Sequence, residues 1–411
     1  MRFRGVLLGI VGCLCLEIIQ APSAWAIPAW ARKYGVSCNV CHQPNVPRLS
    51  DFGHRFRKLG YRVPEEVGKQ PEYKEIGQYI AMRGRMRYDV ENFERGRDTS
   101  GFRWNDATLF YAGPVTSNLS SFFELEVNES NELEALGQFS WLFGGPERYA
   151  QIRLGQFHSL SRVGWAGFDR PSGINTAQPI GSTLTSTAVP FTLAKDHRGL
   201  ELSVGLNPDI RLIGQVLNGL DTSGSGTTGT RDNDKNKDFL LAYEQMIGKR
   251  GSGITGVFYR GTWHQAAGTV VSGTALADDD AFTKFNFYRY GLTGSWIFGT
   301  PFWEDHQSEI QGGAIFAHDA GPRSYPGGKP DADGQSYFVG LEQYFNDASL
   351  FGRLDFRNLE VVGGDNWRRR YTLGFAKQIN DYLRFAAEGF VNDLESSNDS
   401  IGANIEAMFN F

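Results

Sequence analysis

Beyond about residue 76 the chain carries no helical period. What recurs, to its last residue, is alternation of apolar and polar side chains. In "YIAMRGRMRYDV", Ile80, Met82, Met86, Tyr88 and Val90 share one face, while Arg83, Arg85, Arg87 and Asp89 share the other. Period two belongs to a strand with one apolar and one wet side. Such stretches are expected near 78–90, 102–112, 119–128, 135–144, 149–157, 197–206, 209–218 and 238–248. They continue near 253–264, 284–298, 307–317, 335–346, 349–358, 367–377, 381–392 and 401–411. That is about sixteen strands, an even count of the kind bacterial barrels have. The connections alternate in length. "GPVTSN", "GGPE", "NPD", "GKRGSG" and "NDAS" are tight turns, and between them run loops such as "NGLDTSGSGTTGTRDNDKNKD" and "HDAGPRSYPGGKPDADG". Short turns at one end and long loops at the other fit a membrane barrel, whereas a soluble sandwich has no reason to keep that alternation. Composition agrees: Gly is common at 50 residues of 411, aromatics make up 13%, and Cys is scarce at 4. A formal net charge of -5 gives no reason to expect nucleic acid.

The last strand, "IGANIEAMFNF", sets Ile401, Ala403, Ile405, Ala407, Phe409 and Phe411 against Asn404, Glu406 and Asn410. A final amphipathic strand ending in Phe resembles the signal read by the bacterial barrel-insertion machinery. Its apolar side suits lipid and its polar side a wet interior. Trp141, Phe143, Trp263, Trp296 and Phe298, near expected strand ends, are read as interface girdles. The largest loop, about 158–196, is the third. By resemblance to sixteen-stranded porins, it is expected to fold inward and narrow the lumen.

The N-terminal segment is of another kind. Arg2 and Arg4, the apolar run "GVLLGIVGCLCL" and the small residues of "AWA" read as a signal peptide cut after Ala26. Cleavage there removes Cys13 and Cys15 and leaves Cys38 and Cys41 as the only thiols. These two lie in "VSCNVCHQP", a C-x-x-C-H motif, in which both thiols add to haem vinyl groups and the adjacent His42 binds the iron. No βαβ pattern surrounds it, as a thioredoxin-like dithiol would require, and no second Cys/His pair completes a zinc site. The expected cofactor is one haem c.

"PRLSDFGHRFRKLG" reads as a short helix with Leu49, Phe52, Phe56 and Leu59 on one stripe, closed by Gly60. The stripe suits either a porphyrin or the barrel wall. No sixth iron ligand can be named. His54 turns away from the stripe at 100° per residue and reads as a solvated surface histidine, and Met82 and Met86 fall on the lipid side of the first strand.

The fold class expected is all-β: an antiparallel transmembrane β-barrel of about sixteen strands with a small, partly helical N-terminal c-type haem plug. The division is 1–26 signal peptide, 27–76 haem plug and 77–411 barrel. The apolar band of such a barrel is about 25 Å tall, so a single haem serving both sides has to lie within the lumen. Arg83, Arg85, Arg87, Arg353 and Arg357 are placed on the lumen side, to pair with haem propionates or plug carboxylates or simply to line the pore.

The stretch "IPAWARKYGVSCNVCHQPNVPRLSDFGHRFRKLGYRVPE" closely resembles the N-terminus of the fused monohaem cytochrome–porins of bacterial outer membranes, best known from iron-oxidising bacteria as surface Fe(II) oxidases. The residues that carry the likeness are Pro28, Trp30, Ala31, Arg32, Cys38, Cys41, His42, Pro47, Leu49, Phe52, Gly53, Phe56, Gly60 and Tyr61. Trp30 takes an aromatic position and His54 stands where the family tends to have Arg. The likeness is specific over about 40 residues and only architectural over the barrel. It implies an outer-membrane electron conduit between extracellular Fe(II), or another donor, and a periplasmic c-type cytochrome, with outer-membrane lipid around it. Two alternatives stay open: a solute-selective porin whose haem plug is structural or redox-gating, and the same conduit run outward to an extracellular acceptor. A homotrimer is also open. No general acid or base is evident, as outer-sphere transfer needs none.

Three further patterns are discounted. "GSGTTG" (Gly224, Gly226, Gly229) lacks the strand-to-helix context of a dinucleotide loop. "DNDKNKD" has Lys237 where a calcium loop needs its turn glycine. Asp278, Asp279 and Asp280 read as a solvated charge run.

Overall fold

The computed structural model describes residues 29–43, 46, 48–129, 132–158, 174–185, 189–193, 196–220, 235–248, 250–265, 270–271, 274–275, 284–300, 306–321, 331–361, 364–394 and 399–411. The leader, the Gly224–Gly229 loop and Asp278–Asp280 lie outside them.

The alternating stretches form β1 (Ile80–Phe93), β2 (Thr99–Pro114), β3 (Leu119–Asn128), β4 (Leu133–Gly144), β5 (Tyr149–His158), β6 (Asp196–Gly205), β7 (Ile210–Leu217), β8 (Asp238–Ile247) and β9 (Ser252–His264). After a two-stranded loop hairpin, β10 (Val270–Val271) and β11 (Thr274–Ala275), come β12 (Lys284–Gly299), β13 (Gln307–Ala320), β14 (Ala332–Tyr344), β15 (Ala348–Val361), β16 (Gly364–Asn380), β17 (Leu383–Leu394) and β18 (Ser400–Asn410). Each barrel strand pairs antiparallel with its sequence neighbour, β9 with β12 across the hairpin, and β18 returns to β1 to close a sixteen-stranded barrel.

Closure is made by the C-terminal strand. Its register on β1 runs from Arg83↔Asn410 to Phe93↔Ser400, and Met82 and Phe411 exchange backbone hydrogen bonds of 2.9 and 2.8 Å. Leaving no open edge satisfies every backbone group within the strands, which a lipid environment demands.

The two faces separate as the alternation requires. Leu373, Leu241, Ile401 and Leu341 point outward, Leu373 at 73% exposure, while Arg289, Glu309, Arg353 and Asp355 are buried inside. Met82 and Met86 lie on the outer face. Phe143 and Trp296 are exposed there too, but Trp263 is not a girdle residue. It shares the inward parity of Tyr259 on β9 and packs in the lumen with Phe285. Nearness to a strand end had suggested a belt; side-chain parity decides the face.

The described part of the third loop, 174–185 and 189–193, folds inward. Ile174 and Asn175 donate backbone N–H groups to Glu388 on β17, and Gln178 donates its backbone N–H to Asp355 on β15 (3.2 Å). Arg353 and Arg357 hold the carbonyls of Asn175 (3.1 Å) and Thr183 (3.0 Å), and Thr185 bonds Asp319 on β13. Further on, Phe191 packs against Tyr259 and Phe287 with ring centroids 4.4 and 4.8 Å apart. One side of the lumen is therefore a dry apolar core built from this loop and strands β5, β7 to β9, β12 and β13.

At the short-turn end the barrel holds the N-terminal segment: α1 (Ala29–Tyr34), a 3-10 turn at Cys38–Val40, α2 (Asp51–Lys58) and a 3-10 turn at Pro64–Glu66. Its contacts run round the wall. Trp30 donates to Ala112 O on β2 (3.2 Å), and Tyr61 stacks on Phe122 of β3. Lys58 pairs with Glu244 on β8 (2.5 Å), and Arg48 pairs with Glu309 on β13. Arg62 caps the turn before β3 through the carbonyls of Thr116 and Leu119 (2.5 and 2.9 Å).

Candidate haem-attachment site

The Cys-Asn-Val-Cys-His stretch forms a single tight turn. Cys41 and His42 both donate backbone N–H groups to Cys38 O, at 3.2 and 2.9 Å, which brings the two cysteines together and delivers the histidine next to them. Both thiols are free and half-buried, and burial pushes each up to about 11, so they stay protonated. Cys38 Sγ lies 3.4 Å from Asp381 O, in the short turn between β16 and β17, which sets the motif at the barrel rim.

His42 is oriented by its own loop. It forms an antiparallel bridge with Leu49, and Gln43 donates its backbone N–H to Arg48 O (3.0 Å). The His42 Nδ1 lies 3.3 Å from the same carbonyl. A carbonyl only accepts, so Nδ1 carries the proton and Nε2 the lone pair; backbone orientation of this kind is usual for metal-binding histidines. Two free thiols one turn apart and an imidazole with its Nε2 lone pair set by the backbone fit a c-type haem.

Helix α2 clamps the turn from behind. Ser50 is its N-cap: its Oγ accepts from Gly53 N (3.1 Å) and donates to Val40 O (2.5 Å), and its backbone N–H donates to Cys41 O (2.9 Å). Gly53 is needed because a Cβ there would overlap the Cys41 carbonyl oxygen and come within 3.1 Å of Leu49 Cδ2. The left-handed Gly60 (φ 72) ends the helix and turns Tyr61 into the wall. Of the apolar stripe, Phe56 and Leu59 pack on barrel residues, Phe56 with Phe122 and Leu59 with Leu142 and Tyr149, while Phe52 remains exposed.

His54 is not the solvated residue its helical position suggested. It is 2% exposed, and desolvation together with Arg57, Lys58 and Arg48 holds its imidazole well below the ordinary range. Helical geometry separates it from the apolar stripe, but the barrel wall at Glu244 buries the other face of α2 as well. Met82 and Met86 point away from the lumen, which removes them as iron ligands. The lumen arginines pair with the wall: Arg83 with Asp106 (3.1 Å) and Glu126 (3.0 Å), Arg85 with Asp106, Arg87 with Glu406 (2.8 Å) and Arg353 with Asp355 (2.7 Å).

Arg48, Ser50, Gly53, Lys58 and Arg62 tie the turn to helix and wall, and of these only Gly53 was singled out from sequence, as part of the family likeness. The basic run Arg48, Arg55, Arg57, Lys58, Arg62 was the available signal, because a cationic segment that has to be buried needs carboxylates facing it.

No family model matches the chain, and no curated protein matches it in sequence. Solved structures do match the fold. The chain is similar to the trimer form of in-vitro folded OmpT, an outer membrane protein of Vibrio cholerae, at 12% identity over 81% of this chain and 99% of that one (TM-score 0.52). It is similar to an anion-selective porin from Comamonas acidovorans at 11% identity over 81% and 98% (TM-score 0.53). Salmonella typhi OmpF matches at 10% identity over 81% and 97% (TM-score 0.54). Identities this low carry the architecture alone: this is a porin-type sixteen-stranded barrel.

Proposed function

We propose that the chain is an outer-membrane electron conduit that holds one haem c through Cys38, Cys41 and His42. It carries electrons between an extracellular donor, Fe(II) first, and a periplasmic c-type cytochrome. The observation that carries this reading is the seating of a complete C-x-x-C-H turn in the short-turn end of a membrane barrel, through Cys38 to Asp381 and Arg48 to Glu309. The resemblance of the N-terminal 40 or so residues to fused cytochrome–porins points the same way. When bound, the haem supplies a one-electron couple whose potential follows ligation, burial and hydrogen bonding.

The chain's own residues supply position and insulation. Arg48 O fixes the His42 tautomer, Ser50 and Gly53 hold the turn to α2, and Arg48 and Lys58 lock the segment to the wall at β13 and β8. These anchors meet the wall within about four residues of the short turns, roughly 13 Å along a strand. The apolar band of such a barrel is about 25 Å tall, so a donor arriving from the loop side gives up its electron from within the lumen. Its path follows β1 to β4, where Glu124 and Glu126 keep partial exposure beside Arg83, rather than the dry side filled by the third loop.

Spectroelectrochemical titration of the purified full chain tests the reading, followed by mixing with Fe(II). One haem per chain, lost in Cys38→Ala/Cys41→Ala and spectrally altered in His42→Ala, is expected. A chain without covalent haem refutes the conduit, and one that binds haem but is not reduced by Fe(II) at any pH refutes the donor.

The porin-type architecture favours a second reading, a solute-selective porin with a structural or redox-gating plug. Steady open-pore current in a planar bilayer would support it; the conduit predicts low conductance. Measured potentials of haem and partners decide whether electrons run inward or outward. A homotrimer, as in the trimer form of OmpT, is tested by sizing in detergent.

A further inference from the structure

Arg357 on β15 stands directly opposite Arg368 on β16, and Arg370 follows two residues on along the same face. All three face the lumen; Arg369 between them takes the outward parity and pairs with Asp393 (3.0 Å). Like charges opposed across a strand pair repel, and guanidinium groups do not escape by losing a proton. Among the described residues, the nearby carboxylates Asp355 and Glu388 are already engaged. Asp355 takes Arg353 and the Gln178 backbone N–H, and Glu388 takes Ile174 and Asn175. Among the described residues no carboxylate makes an ion pair with Arg357, Arg368 or Arg370, and the Nε of each is buried without a hydrogen-bond partner.

Two of the three are nevertheless held in place. Arg357 is 8% exposed and donates from Nη1 to Thr183 O (3.0 Å), and the Arg370 guanidinium lies 4.0 Å from the Phe390 ring centroid. Arg357 is buried and Arg368 and Arg370 are half-buried, and Arg370 also stands opposite Asp355 on β15. Guanidinium groups gathered on one lumen face without an ion pair are costly unless an anion joins them, and their forked donors match tetrahedral oxyanions.

We propose that Arg357, Arg368 and Arg370 form a binding site for an oxyanion of the phosphate or sulfate class on the lumen wall toward the long-loop end. The site is separate from haem attachment. Arg357 lies nine residues along β15 from Ala348 at the short-turn end, roughly 30 Å along the strand, whereas Cys38 touches the short turn at Asp381. The partner is therefore not a haem propionate. Lumen parity also keeps lipid phosphate away and leaves a soluble anion as the ligand. The proposal does not depend on the electron-conduit reading.

The test is calorimetric titration of the full chain, isolated from membranes in detergent, with inorganic phosphate at constant ionic strength set by chloride. Saturable binding is expected, weakened roughly ten-fold or more in Arg357→Gln and in Arg368→Gln. It should be unchanged in Arg103→Gln, which removes a rim arginine already paired with Asp89 and Glu129. Without phosphate the two site variants are expected to melt no lower than the parent, because a repulsion has been relieved, and phosphate should raise the melting temperature of the parent only. If a Gln variant does not fold, Arg357→Lys and Arg368→Lys keep the charge but lose the fork, and are expected to weaken phosphate as well. Absence of saturable binding by the parent overturns the proposal, as does a folded Arg357→Gln/Arg368→Gln double variant that binds phosphate within two-fold of it.

Discussion

Replacing Gly53 by Ala tests the clamp on the Cys-Asn-Val-Cys-His turn. In a free helix the change stabilises by about 1 kcal/mol, so propensity alone favours the variant. Here the new Cβ would overlap the Cys41 carbonyl oxygen and sit 3.0 Å from Cys41 C and 3.1 Å from Leu49 Cδ2. Backbone cannot swing aside as a side chain can, so α2 has to back away from the turn. Overpacking of this kind costs about 1–3 kcal/mol. Retreat also breaks the hydrogen bonds from Ser50 to Cys41 O and Val40 O, at about 1 kcal/mol each. The balance is about 2–4 kcal/mol against the seated turn. The barrel strands are untouched, so the effect is local. Two readouts follow: covalent haem per folded chain should fall, and in haem-free refolded chain Cys38 and Cys41 should be alkylated at least about ten-fold faster than in the parent, since ten-fold corresponds to only about 1.4 kcal/mol. Gly101→Ala on β2, where a Cβ meets nothing within 4 Å, is the control. A heat-modifiable Gly53→Ala barrel with parental haem content and parental thiol reactivity refutes the reasoning.

Arg48→Gln removes one partner of a buried ion pair and leaves Glu309 inside with Glu342 and Tyr344 close by; about 3–5 kcal/mol of plug docking should be lost, seen as protease cleavage between residues 29 and 79 in an otherwise folded barrel. For His54 the folded imidazole is held low, so as pH falls below about 6.5 the undocked segment takes up a proton that the docked one refuses. Docking stability therefore falls on acidification, by up to about 1.4 kcal/mol per pH unit until the depressed folded value is reached, and His54→Gln should flatten that slope in a protection-versus-pH series. Deleting Phe411 removes both backbone hydrogen bonds to Met82 that close the barrel at its seam, and the yield of heat-modifiable barrel should drop while synthesis is unchanged.

The strand plan was legible because lipid outside and water inside force a period-two pattern on each strand; β3, Leu119–Asn128, falls on its expected range of 119–128. Faces failed only where position replaced parity, as at Trp263. The Cys-x-x-Cys-His spacing was equally plain as a pattern, since it is local, and the structure gathers it into one turn. His54 shows the opposite case. Its helical position separates it from the stripe of α2, but its burial comes from Glu244 and the β8 wall, which lie some 190 residues away in sequence.

Local order thus wrote the alternation, the turns, the closing strand and the thiol–imidazole spacing into the chain, because each arises among residues near one another. Which carboxylate meets Arg48 or Lys58 and which side of the lumen the third loop fills depend on closing the barrel. Closure sets the register of sixteen strands together, and only that shared register brings distant lumen-facing charges into contact.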